Sequence, residues 1–165
     1  MLKILNISFF TDEFYWQIKD DEIADGYPRR ISEDWGGLPG YVDGALTWSD
    51  GKTFFFKGDK YWRFRNKQMN SGYPKQISVG FEGIPDNIDA VFVWSGNGKT
   101  YFFKGDKYWR FESRSDPPVS DRYPRPISNW EGIPNDIDAV FQWKNDRTYF
   151  FKGISYYRFN DRTFA

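Results

Sequence analysis

Along the chain, short runs of apolar and aromatic residues are broken every few positions by Gly, Asp, Asn and Pro, the punctuation of β-strands and tight turns. Three kinds of run recur in a fixed order. The first starts with Asp and is apolar: DGALTW at 43–48, DAVFVW at 89–94 and DAVFQW at 138–143, spaced by 46 and 49 residues. The second and third are aromatic and flank a Lys-Gly pair: TFFFKGDKYWRF at 53–64, TYFFKGDKYWRF at 100–111 and TYFFKGISYYRF at 148–159. Gly58 and Gly105 stand where the turn between two aromatic strands needs a residue free to take positive φ. Each copy closes on a Tyr-Pro block: YPRRISEDWGGLP from Tyr27, YPKQISVGFEGIP from Tyr73 and YPRPISNWEGIP from Tyr123. The region after each Tyr-Pro has room for one helical turn and is too short for a longer helix.

The N-terminal stretch reads as a worn first copy. FFTDEFYWQI at 9–18 aligns with FFKGDKYWRF, and Phe10, Tyr15 and Trp16 match Phe56, Tyr61 and Trp62 at the same interval of 46. At that fixed offset the opening strand of the first copy falls before Met1, and the fourth copy reaches Ala165 without a Tyr-Pro block. The expectation is a single domain over 1–165 with repeats at about 1–41, 42–87, 88–136 and 137–165, folded as an all-β, four-bladed β-propeller. Its first blade is expected to be incomplete at the N-terminus and its last cut at the C-terminus. The Asp-initiated strand is innermost, where small residues such as Ala90 fit a crowded channel, and the aromatic strands pack blade on blade. A short fourth strand is expected at 67–70, with equivalents at 22–24 and 162–165.

Composition narrows the chemistry. The 165 residues suit one domain, and 23 basic residues balance 23 acidic ones, so no charge excess favours nucleic acid. With 8 Trp, 11 Tyr and 17 Phe the core is aromatic rather than aliphatic. The chain has no His and no Cys, which excludes His- or thiolate-based zinc sites, Cys-His and Ser-His-Asp nucleophiles, His-ligated haem and internal disulfides. The carboxylates are scattered in turns, as at Asp50, Asp59 and Asp106, and none pairs as an acid/base couple. No run approaches a membrane span, and the first ten residues are too interrupted for a secretory signal.

In their order and spelling these blocks resemble the repeats of the hemopexin-like propeller. The pattern is an Asp-Ala inner strand, Phe-Phe-x-Gly-x-x-Tyr-Trp-Arg, then Tyr-Pro-x-x-Ile with Trp-x-Gly-Ile-Pro. The match runs nearly end to end and is most similar to the C-terminal domain of a matrix metalloproteinase of the invertebrate kind, notably WEGIPNDIDAVFQW at 130–143; vitronectin carries similar repeats. The resemblance implies an extracellular, non-catalytic recognition domain that binds matrix proteins or protease inhibitors, with a homodimer through blade faces as a further arrangement. Any zinc protease chemistry would belong to a separate domain. A vitronectin-like adhesive protein is the alternative, and a small-ligand or haem carrier a weaker one, since Met69, Met1 and tyrosines are the only axial candidates. The family's usual disulfide joins the start of the first blade to the end of the fourth, and both places lie outside this sequence.

Propeller closure gathers Asp43, Asp89 and Asp138 around one end of the channel. The bland reading is that each Asp only caps a strand. The resemblance implies that backbone carbonyls there and two residues on, those of Asp43, Ala45, Asp89, Val91, Asp138 and Val140, hold a structural calcium ion, with the fourth set of ligands missing. Lys57-Gly58-Asp59 and Lys104-Gly105-Asp106 match an integrin tripeptide but read as a repeated turn. The Tyr-Trp-Arg segments at 61–63 and 108–110 have interface composition, yet their periodicity assigns them to packing, with Arg over aromatic faces. Asn6, followed by Ser8, forms a glycosylation sequon. Residues 114–122 (RSDPPVSDR) are inserted relative to the other copies, as a partner-facing loop or a neutral extension.

Overall fold

The computed structural model describes residues 3–5, 8–143 and 147–161. Blade 1 contains β1 (Lys3–Leu5), β2 (Ser8–Thr11), β3 (Phe14–Lys19), β4 (Glu22–Ile23) and β5 (Arg29–Arg30). Blade 2 contains β6 (Gly44–Thr47), β7 (Thr53–Lys57), β8 (Lys60–Arg65), β9 (Gln68–Met69) and β10 (Lys75–Gln76). Blade 3 contains β11 (Ala90–Trp94), β12 (Lys99–Lys104), β13 (Lys107–Phe111) and β14 (Arg125–Pro126). In blade 4 the described strands are β15 (Ala139–Gln142), β16 (Thr148–Lys152) and β17 (Ser155–Phe159). All pairings are antiparallel, and the inner strands β1, β6, β11 and β15 neighbour one another in a closed ring.

The four-bladed, all-β architecture is the expected one, but blade 1 differs in its opening strand. Lys3 lies opposite Phe10 as Gly44 lies opposite Phe56, so β1 is the inner strand that the fixed offset placed before Met1. What the first copy lacks is hairpin connection: Leu5 and Ser8 are separated by two residues, Thr47 and Thr53 by five. Among the described residues the inner ladder of blade 1 keeps three register pairs against four in blade 2, so the shorter connection still leaves the inner strand paired.

In blades 1 and 2 the outer strand forms as two short pieces. In blade 2, β9 pairs with the far end of β8, Met69 opposite Phe64, while β10 pairs with its near end, Lys75 opposite Tyr61. The first piece matches the strand expected at 67–70, and β4 matches that at 22–24. The counterpart at 162–165 and the sequon residue Asn6 lie outside the described residues. After each Tyr-Pro comes a single helical turn: α1 (Ile31–Asp34), α2 (Ile77–Gly80) and a 3-10 turn at Ile127–Asn129.

Among the described residues the core is divided into clusters that sit between blades. The first joins Phe10, Tyr15, Ile31 and Trp35 to Phe55 and Phe64 across blades 1 and 2. The second joins Phe54, Phe56 and Phe81 to Phe102 and Phe111 across blades 2 and 3. The third joins Phe92, Phe103 and Trp130 to Phe150 and Phe159 across blades 3 and 4. Each centres on the aromatic side chain that follows a helical turn. Trp130, fully buried, lies 5.2 Å from Tyr101 and 5.0 Å from Phe159, ring centre to ring centre, within the range where edge-on aromatic pairs attract.

Candidate functional site

Inner strands converge on the propeller axis, and their crowding is visible at Gly44. A Cβ there would lie 3.0 Å from Val91 Cγ1 and 3.2 Å from Ile88 Cδ1, so β6 and β11 approach as closely as they do because position 44 has no side chain. Asp43, Asp89 and Asp138 immediately precede three of these strands, and Ala45, Val91 and Val140 are buried within them. The ring therefore brings the six predicted positions to neighbouring strands.

The carboxylates, however, are turned to another task. The Gly58 N–H donates to Asp43 Oδ2 at 2.8 Å, Gly105 to Asp89 Oδ2 at 2.7 Å, and Gly153 to Asp138 Oδ2 at 2.7 Å. Each Asp backbone N–H donates to the middle strand of its own blade, Asp89 to the Phe103 carbonyl at 2.8 Å. The three glycines have φ near +60° (60°, 60° and 57°), and their N–H groups face the inner strand. A charged acceptor at that N–H fastens the turn between the aromatic strands to the entrance of the inner one. Among the described residues no three His, Cys, Asp or Glu side chains converge as a metal-binding group. A cation at this mouth would accordingly be held by backbone carbonyls rather than side chains.

Blade 1 changes the donor count in one respect. Ile4 lies opposite Phe9 as Ala45 lies opposite Phe55, so a fourth strand backbone stands beside the other three, where the sequence reading had none. In the sequence the residue before Lys3 is Leu2 rather than Asp, so the acidic entrance position has no fourth copy.

The Lys-Gly turns, two of them Lys-Gly-Asp and the third Lys152-Gly153-Ile154, are architectural in blades 2, 3 and 4. Lys57 Nζ donates to the Gly40 carbonyl at 2.7 Å, Lys104 Nζ to Asp86 at 2.6 Å and Lys152 Nζ to Asn135 at 2.7 Å, each tying a turn to the loop that enters the blade. The Tyr-Trp-Arg segments behave likewise: Tyr61 and Tyr108 are buried, Arg63 covers the Tyr73 ring at 5.1 Å and Arg110 the Tyr123 ring at 5.4 Å. In blade 1 the Tyr15 hydroxyl donates to Asp34 Oδ2 at 2.6 Å, and Arg29 donates to both Asp34 oxygens at 2.6 and 2.8 Å. Those guanidinium bonds, aided by the Tyr15 hydroxyl, pull the Asp34 carboxyl down to about 2. Burial, with the Asp34 carboxylate next to it, pushes the Tyr15 hydroxyl well above its ordinary range.

Sequence reasoning left residues 114–122 as an undifferentiated surface insertion. They pack back on the propeller, with the Glu112 N–H donating to the Pro118 carbonyl and Val119 covering Gly83. Beside the root of this insertion a cleft of about 630 Å³ opens between blades 2 and 3, lined by Trp48, Asp50, Lys99, Glu112 and Arg114 among others. Its charges are largely neutralised internally, since Lys99 pairs with Glu112 at 3.0 Å and Lys52 with Asp50 at 3.4 Å. Met69, the haem-ligand candidate, is part of the outer strand β9 and lies against Gly37.

The blade-by-blade repetition of this geometry is mirrored in the comparison with known families, where the hemopexin model matches residues 7–40, 42–86, 88–135 and 137–164. The chain belongs to the hemopexin repeat family. Over 46 residues it is 42% identical to matrix metalloproteinase-16 of Rattus norvegicus, a match that covers 28% of this chain and 8% of that protein. Among solved structures it is similar to a 2S albumin seed protein from Dolichos, with a TM-score of 0.75 and 24% identity over 92% of this chain and 79% of the albumin. A hemopexin fold protein from cow pea superposes with a TM-score of 0.73 at 22% identity, covering 93% of this chain and 80% of the other. At these identities the two structures establish the hemopexin fold and nothing of their roles. The chain is thus a hemopexin-like domain that resembles the C-terminal domains of matrix metalloproteinases. No helix among its described residues is long and apolar enough to cross a membrane.

Proposed function

We propose that this hemopexin-like chain is a non-catalytic protein-recognition domain of an extracellular, matrix metalloproteinase-like protein, binding matrix substrates or proteinase inhibitors through its blade faces. The observation that carries the reading is its likeness, at 42% identity over 46 residues, to a matrix metalloproteinase of which the match covers 8%. Repetition supports it: the Asp, Lys-Gly and Tyr-Trp-Arg residues are committed to architecture in blade after blade. Differences between blades, such as the insertion at 114–122, are left on the outside, where recognition loops belong. The test is to immobilise the full chain and titrate a panel of fibrillar matrix proteins and proteinase inhibitors. Saturable, salt-tolerant binding to at least one is expected, and a chain that retains none of them at micromolar concentration overturns the reading.

A calcium ion at the channel mouth belongs to the same proposal, with the carbonyls of Asp43, Ala45, Asp89, Val91, Asp138 and Val140 as ligands and Ile4 beside them. Neutral carbonyl oxygens bind calcium weakly unless held rigidly, and the Asp-to-Gly bonds supply that rigidity. Because an ion that binds only the folded form raises apparent stability, millimolar calcium is expected to raise the melting temperature. Melting curves that superpose with and without calcium overturn this part alone. Titration with haem is expected to give no saturable Soret shift.

A further inference from the structure

Trp48 and Trp94 close the Asp-initiated runs of successive repeats, yet their indoles meet different surroundings. In the seam between blades 3 and 4, Asp161 gathers the donors. Its Oδ2 accepts from Trp94 Nε1 at 2.8 Å, from the Thr148 hydroxyl at 2.8 Å and from Gln142 Nε2 at 3.2 Å, and its Oδ1 accepts from the Thr148 backbone N–H at 3.2 Å. Asp161 follows by two positions Phe159, which lies opposite Thr148. An indole N–H, a Thr hydroxyl and a side-chain amide on two neighbouring blades thus make a built carboxylate site.

Between blades 2 and 3 the same frame has no carboxylate in it. Phe111 lies opposite Thr100 as Phe159 lies opposite Thr148, so the place of Asp161 falls to Ser113. Val93 stands where blade 4 has Gln142. The chain at this point is described throughout, and beyond Phe111 it turns into the insertion, fastened by the Glu112 N–H on the Pro118 carbonyl. What stays open is the cleft of about 630 Å³, with Trp48, Val93, Thr100, Phe111, Ser113 and Arg114 on its wall. Among the described residues neither the Trp48 indole N–H nor the Thr100 hydroxyl has a hydrogen-bond partner, although Thr100 is only 5% exposed. Charge favours an anion. Glu112 is held by Lys99 at 3.0 Å and Arg110 at 3.4 Å, and Asp50 by Lys52 at 3.4 Å, while Arg114 has no ion pair among the described residues.

We infer that the cleft between blades 2 and 3 binds a small organic carboxylate with an apolar body, its head group taking the place that Asp161 takes one seam along. The head group would accept from Trp48 Nε1 and the Thr100 hydroxyl, two of the donor types that Asp161 uses, and the exposed Arg114 would add positive charge. Val93 in place of a Gln removes one donor and offers apolar surface beside Phe111. That exchange favours an arylalkanoic or branched aliphatic acid over acetate. The cleft has the size of small-molecule sites, which combine apolar walls with a few placed polar groups. This ligand class goes beyond the protein-recognition reading and does not depend on it.

The probe is phenylpropionate, titrated into the full chain by calorimetry while the Trp48 indole N–H is followed by NMR and assigned by its loss in Trp48→Phe. Saturable binding that shifts this signal is expected, and the neutral amide of the same acid is expected to bind about ten-fold or more weakly. Trp48→Phe and Thr100→Val each keep the shape of the wall and remove a donor to a charged acceptor, so each is expected to weaken binding about ten-fold. Ser113→Asp offers the cleft a carboxylate from the chain itself. It is expected to abolish phenylpropionate binding and to raise the melting temperature. Ser113 is exposed, and unchanged far-ultraviolet spectra verify that the variants fold. Absence of saturable binding at millimolar acid, equal affinity for the amide, or unchanged binding in both donor variants overturns the inference. So does a Ser113→Asp chain that binds the acid as tightly as its parent. Binding of matrix proteins is measured without the acid, so either reading can fail alone.

Discussion

Asp89 receives one N–H and gives another: its carboxylate accepts from Gly105 and its own backbone donates to Phe103. Asp43 and Asp138 repeat the arrangement. Asp89→Ala removes a charged acceptor from a half-buried N–H and is expected to lower the unfolding free energy by about 1–3 kcal/mol in urea melts. Asp89→Asn keeps an oxygen in place, is expected to cost less, and should leave any calcium-dependent rise in melting temperature intact. Loss of that rise in the Asn variant would show that the carboxylate itself holds the ion. Asp34 makes a separate prediction through its titration. Its carboxyl is lowered from 3.8 to about 2, chiefly by hydrogen bonds from Arg29, so its contribution is complete above the ordinary value. That contribution is lost as pH falls toward 2. Acid titration of stability should show this step, and Asp34→Asn should remove it; an unaltered acid limb in the variant would contradict the assignment.

At the level of elements, single rings hold the seams. Trp130 is fully buried and contacts aromatic residues from both blades 3 and 4, so Trp130→Ala is expected to cost about 3–5 kcal/mol and Trp130→Phe markedly less. A Trp130→Ala chain as stable as its parent in urea would show that blades 3 and 4 are held elsewhere. Strand identity was largely legible because three near-identical blocks place the same aromatic runs in the same order, and the turn residues Gly58 and Gly105 mark their hairpins. The inner strand of blade 1 was not, because a constant offset of 46 cannot see a connection shortened between Leu5 and Ser8. The Asp carboxylates gave no hint of their partners either, since Asp43 and Gly58 are 15 positions apart and meet only when the inner and middle strands pair. Arg63 and Arg110 were legible as ring covers because their aromatic partners recur with them. The cleft beside Arg114 was hidden, as an insertion has no second copy from which to read its packing.

For the molecule as a whole, four inner strands close a ring while aromatic clusters fill the three seams between blades 1 and 4 in sequence order. Local stability follows local burial, so amide exchange is expected to be slowest in β7, β8, β12 and β13 and fastest in β17 and the outer strands. Uniform protection across all blades would contradict an uneven ring. At the joint between blades 4 and 1, Phe141, Tyr149 and Phe151 are half-buried where Phe92, Tyr101 and Phe103 in blade 3 are buried. A closed circle with one weaker joint has a direction built into it. Under tension applied at the two ends of the chain, blades 1 and 4 should part first along their shared joint, leaving the central pair to yield later at higher force. The propeller would then lengthen in ordered steps, as a spiral uncoils from its free edge, and single-molecule pulling curves would record that sequence rather than one abrupt rupture.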